Sequence, residues 1–382
     1  MIPTRFRSRF HLKNRLHFDF YAKFKAMKKL MFCIGTRPEA IKLAPLILEA
    51  QKHGFPVRVL ATGQHKEMLV PFLKAFQIKL DHDLEVLKPN QSLADLTAEI
   101  LKKIAPVLKD DRPDLLFTQG DTTTTFACSL AAFYEKIPVA HIEAGLRTFD
   151  RYSPFPEEMN RSMVGRIAEY HFAPTTLARD NLLKEGLTKN IFVTGNTGVD
   201  ALRIITERLP ESAAKDSKMI LVTCHRRENH GAPLNEICDA ILEILKLNPD
   251  ASVVFPVHLN PQVQTVVKTK LANHPKVSLI EPQGYEDFAL LMKQSHLILT
   301  DSGGVQEEAP YLKKPIFVMR ESTERPEGID AGVSALVGSD RKKIVETVTR
   351  AFQDQAFYES FRKSANPYGD GHAAEKILDF LK

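Results

Sequence analysis

From Lys29 onward the chain alternates short β-branched or apolar runs with longer segments of helical period. That alternation marks βαβ units, because parallel strands need a crossover connection and a helix is the usual crossover. It predicts parallel sheets, one in each half of the chain. The strand candidates are Leu30–Ile34, Val57–Ala61, Leu115–Thr118, Val139–Ile142, His171–Ala173 and Ile191–Val193 in the first half. In the second half they are Met219–Thr223, Ser252–Val257, Val277–Ile280, Leu297–Thr300 and Ile316–Met319. At 382 residues the chain exceeds the ~150–250 at which a single core usually stops growing, so two domains are expected, each with its own sheet. Asp200–Leu209 reads as a linking helix and residues 210–217 as a polar linker. Pro38 suits a first helical position, Ser92 can cap a helix with Leu93, Leu96, Ile100, Leu101 and Ile104 on one face, and Leu234–Leu247 repeats that pattern.

A composition of 43% hydrophobic and 26% charged residues excludes a disordered chain, and no apolar run approaches the ~18 residues of a membrane helix. The formal charge of +5 raises nucleic acid or an anionic membrane as partners, and its distribution argues against both. Residues 1–27 hold seven basic side chains against Asp19 alone, which leaves −1 on the other 355 residues. That leading segment is expected to be a disordered or dispensable extension, or an upstream-extended start ahead of Met27, in preference to a targeting signal. Cys33, Cys128, Cys224 and Cys238 form no CxxC pair and read as buried, reduced thiols, which fits a cytoplasmic protein.

In doubly wound sheets ligands bind outside the carboxyl ends of the strands, and here those positions are rich in polar and small residues. They carry Gly35-Thr36-Arg37, Thr62-Gly63-Gln64-His65, Gln119-Gly120-Asp121, Glu143-Ala144-Gly145, Gly195-Asn196, His225-Arg226-Arg227-Glu228, His258, Gln283 and Asp301-Ser302-Gly303-Gly304. The common topological position implies one cleft between two facing domains. Asp301-Ser302-Gly303-Gly304 opens a helical stretch, where free N–H groups favour an anion; with Arg37 and Arg325 at hand a nucleotide diphosphate is favoured over a plain turn. Glu307 and Glu308 equally suit plain dipole-matching charges. GxGxxG and GxxxxGK[ST] are both absent, which disfavours NAD and ATP cradles.

Asp121, Glu143, Glu157, Glu158 and His225 are the acid–base candidates, since carboxylates held together shift one another's pKa and can keep a proton at neutral pH. Taken singly, Asp121 reads as an N-cap, Glu157-Glu158 as an acidic first turn after Pro156, and His141 as a satisfied strand histidine. Asp81-His82-Asp83 reads as a solvated loop, so no metal is expected.

Taken together, the segments resemble the non-hydrolysing UDP-N-acetylglucosamine 2-epimerases. The strings that carry the resemblance are Gly35-Thr-Arg-Pro-Glu-Ala-Ile-Lys42, Gly120-Asp-Thr-Thr-Thr124, His141-Ile-Glu-Ala-Gly-Leu-Arg147 and Pro154-Phe-Pro-Glu-Glu158 with Asn160-Arg161. His225-Arg-Arg-Glu228, Thr300-Asp-Ser-Gly-Gly304, Thr323-Glu-Arg-Pro-Glu327 and Asn366-Pro-Tyr-Gly-Asp-Gly371 continue it in family order. The resemblance implies a GT-B-like α/β fold, two Rossmann-like domains with parallel sheets facing a central cleft. The expected division is 28–196 plus a returning 364–382 for the first domain and 197–363 for the second, UDP-binding one. It also implies a cytoplasmic homodimer, no cofactor, and reversible C2 epimerisation of UDP-GlcNAc to UDP-ManNAc for surface polysaccharide precursors.

By the same resemblance Asp121, Glu143, Glu157 and His225 form the catalytic group, with Asp121 and Glu157 the expected proton-handling pair. Substrate contacts fall to Arg37, Lys42, Gln283, Phe288, Ser302, Gly303, Gly304, Glu308 and Arg325. Gln64, Glu67, Arg227 and His258 match a site at which some members bind a second UDP-GlcNAc as activator, with Glu67 standing where a Gln is expected. Three other readings remain open at this level: a sister epimerase on a modified UDP-N-acetyl sugar, a GT-B glycosyltransferase, and a nucleotide-sugar-binding regulator.

Overall fold

The structure, a computed structural model, describes residues 29–63, 66–209 and 218–381, with the side chains of Lys66, Glu67, Met68, Val70 and Pro71 left out. The leading 1–27 segment and the 210–217 linker lie outside the described residues.

The first half runs β1 (Leu30–Ile34), α1 (Arg37–Lys52), β2 (Val57–Ala61), α2 (Lys66–Ala75), β3 (His82–Asp83), α3 (Leu93–Asp111), β4 (Leu115–Gln119), α4 (Thr123–Tyr134), β5 (Val139–Ile142), α5 (Glu157–Ile167), β6 (Tyr170–Ala173), α6 (Thr176–Lys184) and β7 (Ile191–Val193). Its seven strands form one sheet in the order β3-β2-β1-β4-β5-β6-β7, every pairing parallel. β1 is wholly apolar and β4 is apolar up to Phe117, and both are buried along their length, as helices packed on either side of a parallel sheet require. Phe32 and Phe117 stack across that pair with ring centroids 4.7 Å apart.

The second half follows the same plan. It runs α7 (Thr197–Arg208), β8 (Met219–Thr223), α8 (Ala232–Leu247), β9 (Ser252–Pro256), α9 (Pro261–Leu271), β10 (Val277–Ile280), α10 (Tyr285–Gln294), β11 (Leu297–Thr300), α11 (Gly303–Glu308), β12 (Ile316–Val318), α12 (Pro326–Asp330), β13 (Ser334–Leu336), α13 (Arg341–Gln353) and α14 (Gln355–Lys363). The sheet order is β10-β9-β8-β11-β12-β13, again wholly parallel. The strand order reverses between β1 and β4 in one sheet and between β8 and β11 in the other. Such switch points open a crevice at the strand carboxyl ends, and four of the nine polar segments singled out in the sequence follow these four strands: Gly35-Thr36-Arg37, Gln119-Gly120-Asp121, His225-Arg226-Arg227-Glu228 and Asp301-Ser302-Gly303-Gly304.

Compact unit one comprises the chain up to Ala173, Ala178–Thr194 and Ala373 onward; unit two comprises Pro174–Leu177 and Gly195–His372. The return to the first unit falls at Ala373, later than the 364 read from the sequence. The intervening segment is tied to the second unit: Tyr368 accepts the Gly328 N–H on its hydroxyl at 2.9 Å and the Asn196 N–H on its carbonyl at 2.7 Å. A last helix, α15 (Ala373–Asp379), packs on α1, and Phe380 beyond it lies against Phe192 at 3.9 Å between centroids.

Ser92 caps α3 as expected, its hydroxyl accepting the Asp95 N–H at 3.1 Å. Leu96, Ile100 and Ile104 are buried beneath that helix, whereas Leu93 stays 44% exposed in its first turn. Two strands were not anticipated. β3 is two polar residues and β13 opens on a serine and an alanine, so neither forms the apolar run that marks β7 and β12, each also three residues long. The solvated-loop reading of Asp81-His82-Asp83 is thereby corrected: Asp81 accepts the Val59 N–H at 2.8 Å, and His82 pairs with Asp111 at 2.9 Å. Among the described residues no helix is long and apolar enough to cross a membrane.

Because α15 closes the first unit's core, Ile377→Ala, at a fully buried position, should cost about 2–5 kcal/mol. Urea denaturation followed by circular dichroism is the check.

Candidate active site

In the first unit the site grows from the ends of β1, β4 and β5 and the start of α5. Behind β1, Glu39 is buried and accepts the Gly35 N–H at 2.8 Å and the hydroxyls of Thr122 and Thr125 at 2.6 and 3.1 Å, so it joins the β1 and β4 turns. Gly35 is required there, since a Cβ would fall 2.1 Å from Thr124 Oγ1.

Asp121 follows β4 and does not cap the next helix. Thr122 does, its hydroxyl accepting the Thr125 N–H at 3.2 Å. The Asp121 carboxylate instead meets Arg161, with Nη1 and Oδ2 3.2 Å apart. Burial pushes its pKa up to about 7; Glu143 and Glu157 add to the rise, and Arg161 and Lys42 oppose it. Glu143 stands just past β5 in the left-handed region at φ +63°, a strained setting for a side chain with a Cβ, and its carboxylate accepts from Lys42 and Gln119.

The adjacent acids of α5 divide the work. Glu158 accepts the Thr148 and Phe149 N–H groups at 3.1 and 3.0 Å and the Arg161 guanidinium, and so fixes the loop leading into the helix. Glu157 has a buried Oε2 with no hydrogen-bond partner among the described residues. A buried acceptor left open is costly.

In the second unit Asp301, wholly buried at the end of β11, accepts the His225 and Arg226 N–H groups and the Asn229 amide, each at 2.9 Å, while His225 Nδ1 lies 3.0 Å from its other oxygen. Burial alone would raise this carboxyl; the bond and charge of His225 and the amide donors overcome that and hold it at about 2. The His225 ring is thus oriented through one nitrogen, which leaves Nε2 for chemistry.

The Ser302-Gly303-Gly304 turn opens α11, and a Cβ on Gly303 would fall 2.6 Å from Arg325 Cζ, so the guanidinium rests on the glycine itself. Arg325 is held by Glu307 at 2.7 Å and Glu324 at 3.3 Å. Glu307 therefore does more than match a helix dipole, for it also accepts from Asn196 at 3.0 Å. Glu308 accepts from Tyr285 at 3.0 Å. Phe288 is half-buried on α10, and Gln283 precedes that helix with its amide on the Glu281 carbonyl at 2.6 Å.

Lys42, grouped with the nucleotide contacts in the sequence, reaches Glu143 among the carboxylates of the first unit, while Arg37 is exposed at the start of α1. His141 satisfies one nitrogen on the Gly120 carbonyl at 2.7 Å; its Nδ1 has no partner among the described residues. Of the four candidate activator residues, Arg227 and His258 are exposed in the second unit, the His258 ring centroid 6.2 Å from that of His225. Gln64 and the Glu67 side chain lie outside the described residues.

Sequence reasoning assigned no role to Arg161, Gln119 or Asp301. Arg161 carried a signal, since it sits four residues after Glu157 and three after Glu158, on their helix face. Asp301 did too, as the first residue beyond a switch-point strand.

The family model described as UDP-N-acetylglucosamine 2-epimerase matches residues 48–382. The chain is 49% identical to UDP-N-acetylglucosamine 2-epimerase of Yersinia pestis over 369 residues, 93% of this chain and 98% of that protein. It is 49% identical to the Bacillus subtilis protein of the same name over 364 residues, 93% and 96% of the two chains. Among solved structures, UDP-GlcNAc 2-epimerase from Neisseria meningitidis bound to UDP-GlcNAc superposes with a TM-score of 0.85 at 48% identity, covering 92% of this chain and 99% of that one. The Methanocaldococcus jannaschii UDP-GlcNAc 2-epimerase in complex with UDP-GlcNAc and UDP gives 0.76 at 37%, with 92% and 99% covered.

A carboxyl whose pKa is raised by folding stabilises the protein below its unfolded pKa of roughly 3.9, and loses that contribution as pH rises through its folded value. With Asp121 at about 7, Asp121→Asn should melt above the wild type at pH 8, and the gain should shrink towards pH 5. Calorimetry across that range is the measurement.

Proposed function

The chain belongs to the UDP-N-acetylglucosamine 2-epimerase family, and on that footing we propose that it interconverts UDP-GlcNAc and UDP-ManNAc by eliminating and re-adding UDP. The carrying observation is a carboxyl group poised at about 7 beside two further carboxylates. A general acid or base works best with its pKa near the operating pH.

In the forward direction a carboxylate takes the proton from C2. The electrons of the C–H bond form a C1=C2 double bond as the C1–O bond breaks, and UDP leaves with the bonding pair. UDP then returns to C1 while the second acid delivers a proton to the other face of C2, so no net oxidation occurs. Asp121 and Glu157 serve as the proton-handling pair, and Glu143, fixed by Lys42 and Gln119, orients the sugar. The open Oε2 of Glu157 is available to the substrate.

In the second unit His225, its Nδ1 engaged by Asp301, turns Nε2 to the diphosphate as charge develops on the departing UDP. Gly303 and Gly304 supply backbone N–H groups and Ser302 its hydroxyl, its own N–H being held by Thr300 at 2.9 Å; Arg325 and Arg37 supply charge, and Phe288, Gln283 and Glu308 complete the nucleotide contacts. A second UDP-GlcNAc acting as activator is part of this reading. Arg227 supports it as one wall of a cavity of about 600 Å³ that is also lined by His230 and Asn260. Four buried free cysteines support a reducing, cytoplasmic setting.

A homodimer is also proposed. Phe133 and Tyr134 at the end of α4 are 60% and 66% exposed with ring centroids 6.3 Å apart, an apolar area suited to a second copy of the chain. Sedimentation should show wild-type dimers and Phe133→Lys monomers; a monomeric wild type would exclude the assembly.

Incubation with UDP-GlcNAc in D2O, followed by NMR, tests the reaction. UDP-ManNAc should appear with deuterium at C2, and Asp121→Asn should lower the rate at least 100-fold. Unexchanged substrate would exclude this sugar, and transfer to an added acceptor would indicate a glycosyltransferase.

A further inference from the structure

The peptide planes on both sides of Asp121 are held by buried side chains, and neither holder has a role in the reaction described above. On the amino side, His141 Nε2 lies 2.7 Å from the Gly120 carbonyl oxygen, an acceptor only, so this nitrogen carries the proton and donates it. Gly120 sits at φ +73° and its own N–H donates to the Ile142 carbonyl at 3.0 Å, so β5 grips the turn at both of its polar groups. On the carboxyl side, the Asn160 amide donates to the Asp121 carbonyl oxygen at 2.9 Å. His141 is 1% exposed and Asn160 6%.

We propose that His141 and Asn160 are positioning residues that clamp the two peptides flanking Asp121 and thereby aim its carboxyl group for proton transfer. The proposal rests on the reading of Asp121 as a proton carrier. A reacting group must be held within about 0.5 Å of its productive position, and a single flexible turn cannot do this. Arg161 meets the Asp121 side chain, and the two clamps act on the peptides that carry it.

His141 does not act by titrating itself. Burial lowers its pKa to about 3; the bond to Gly120 opposes the shift, while His171 on the neighbouring strand β6, Arg147 and Arg161 reinforce it. The ring therefore stays neutral wherever the enzyme is folded and active. Any pH effect of replacing it must pass through Asp121, which faces Arg161 and Glu157 of α5, Glu143 beyond β5 and Lys42 of α1. If His141 only filled core volume, its loss would lower stability and leave the pH profile in place.

The experiment measures kcat, KM and C2 deuterium exchange against pH for the full chain and for Asp121→Asn, His141→Leu, His141→Gln and Asn160→Leu, each with a melting curve. Glutamine can place an N–H near the position of Nε2; leucine cannot. His141→Leu and Asn160→Leu should each lower kcat roughly 10- to 100-fold with KM little changed, the cost of a misplaced catalytic group. Both should also displace the pH limb that Asp121 sets, and His141→Gln should restore most of the rate and the original limb. The inference is overturned if both leucine variants keep the wild-type rate and limb. It is equally overturned if glutamine fails to recover what leucine loses while all the variants melt like the wild type. Should His141→Leu not fold, Asn160→Leu and His141→Gln decide by the same criteria. If Asp121→Asn itself retains exchange, the proton-carrier reading falls first and takes this inference with it, an outcome distinct from silent clamp variants beside an inactive Asp121→Asn.

Discussion

Placing several carboxylates side by side away from water is the constraint around which the first unit is organised. A buried carboxylate must find partners or hold on to a proton, and the fold uses both answers. Glu39 is surrounded by hydroxyls and backbone N–H groups, Glu143 by Lys42 and Gln119, and Glu158 by Arg161 and two amides. Asp121 receives one side-chain partner, so its proton affinity rises, and Glu157 keeps an oxygen open. Glu39 and Glu158 tie the turns around the site, and Asp121, Glu143 and Glu157 are the acids proposed to meet the substrate.

The second unit resolves the same problem in the opposite direction. Asp301 gathers enough donors to remain ionised while wholly buried, and it spends that charge on orienting His225. Glu307 likewise holds Arg325 over a glycine that has no side chain to displace it. Asp121 thus follows one strand of the β1/β4 switch point of one sheet, and His225 and the Ser302-Gly303-Gly304 turn follow the β8/β11 switch point of the other.

Much of this was legible before any coordinates. The alternation of apolar runs with helical segments located eleven of the thirteen strands among the described residues to within a residue or so, because strands packed under helices are rich in apolar side chains. The two that escaped, His82–Asp83 and Ser334–Leu336, are short edge strands held by backbone pairing, which side-chain pattern does not report. Leu93 shared the apolar stripe of α3 and still remained exposed, since a stripe says which face is apolar and not how far the neighbouring elements cover it.

The site was legible as positions and not as roles. Gly120-Asp121, Glu143-Ala144-Gly145 and Asp301-Ser302-Gly303-Gly304 stand out because each follows a strand, and topology carries the carboxyl ends of parallel strands to one rim of their sheet. Whether Asp121 capped a helix or faced Arg161 depended on Thr122 taking the cap, and which of Glu157 and Glu158 stayed open depended on the loop amides of Thr148 and Phe149 reaching the second. By itself, then, the sequence determined that there would be two parallel sheets and which strand ends would carry polar and small residues, because those follow from hydrophobic period and chain order. Tertiary structure alone decided which acids were neutralised and which held a proton, because that depends on donors brought from distant segments and on how much water their packing leaves.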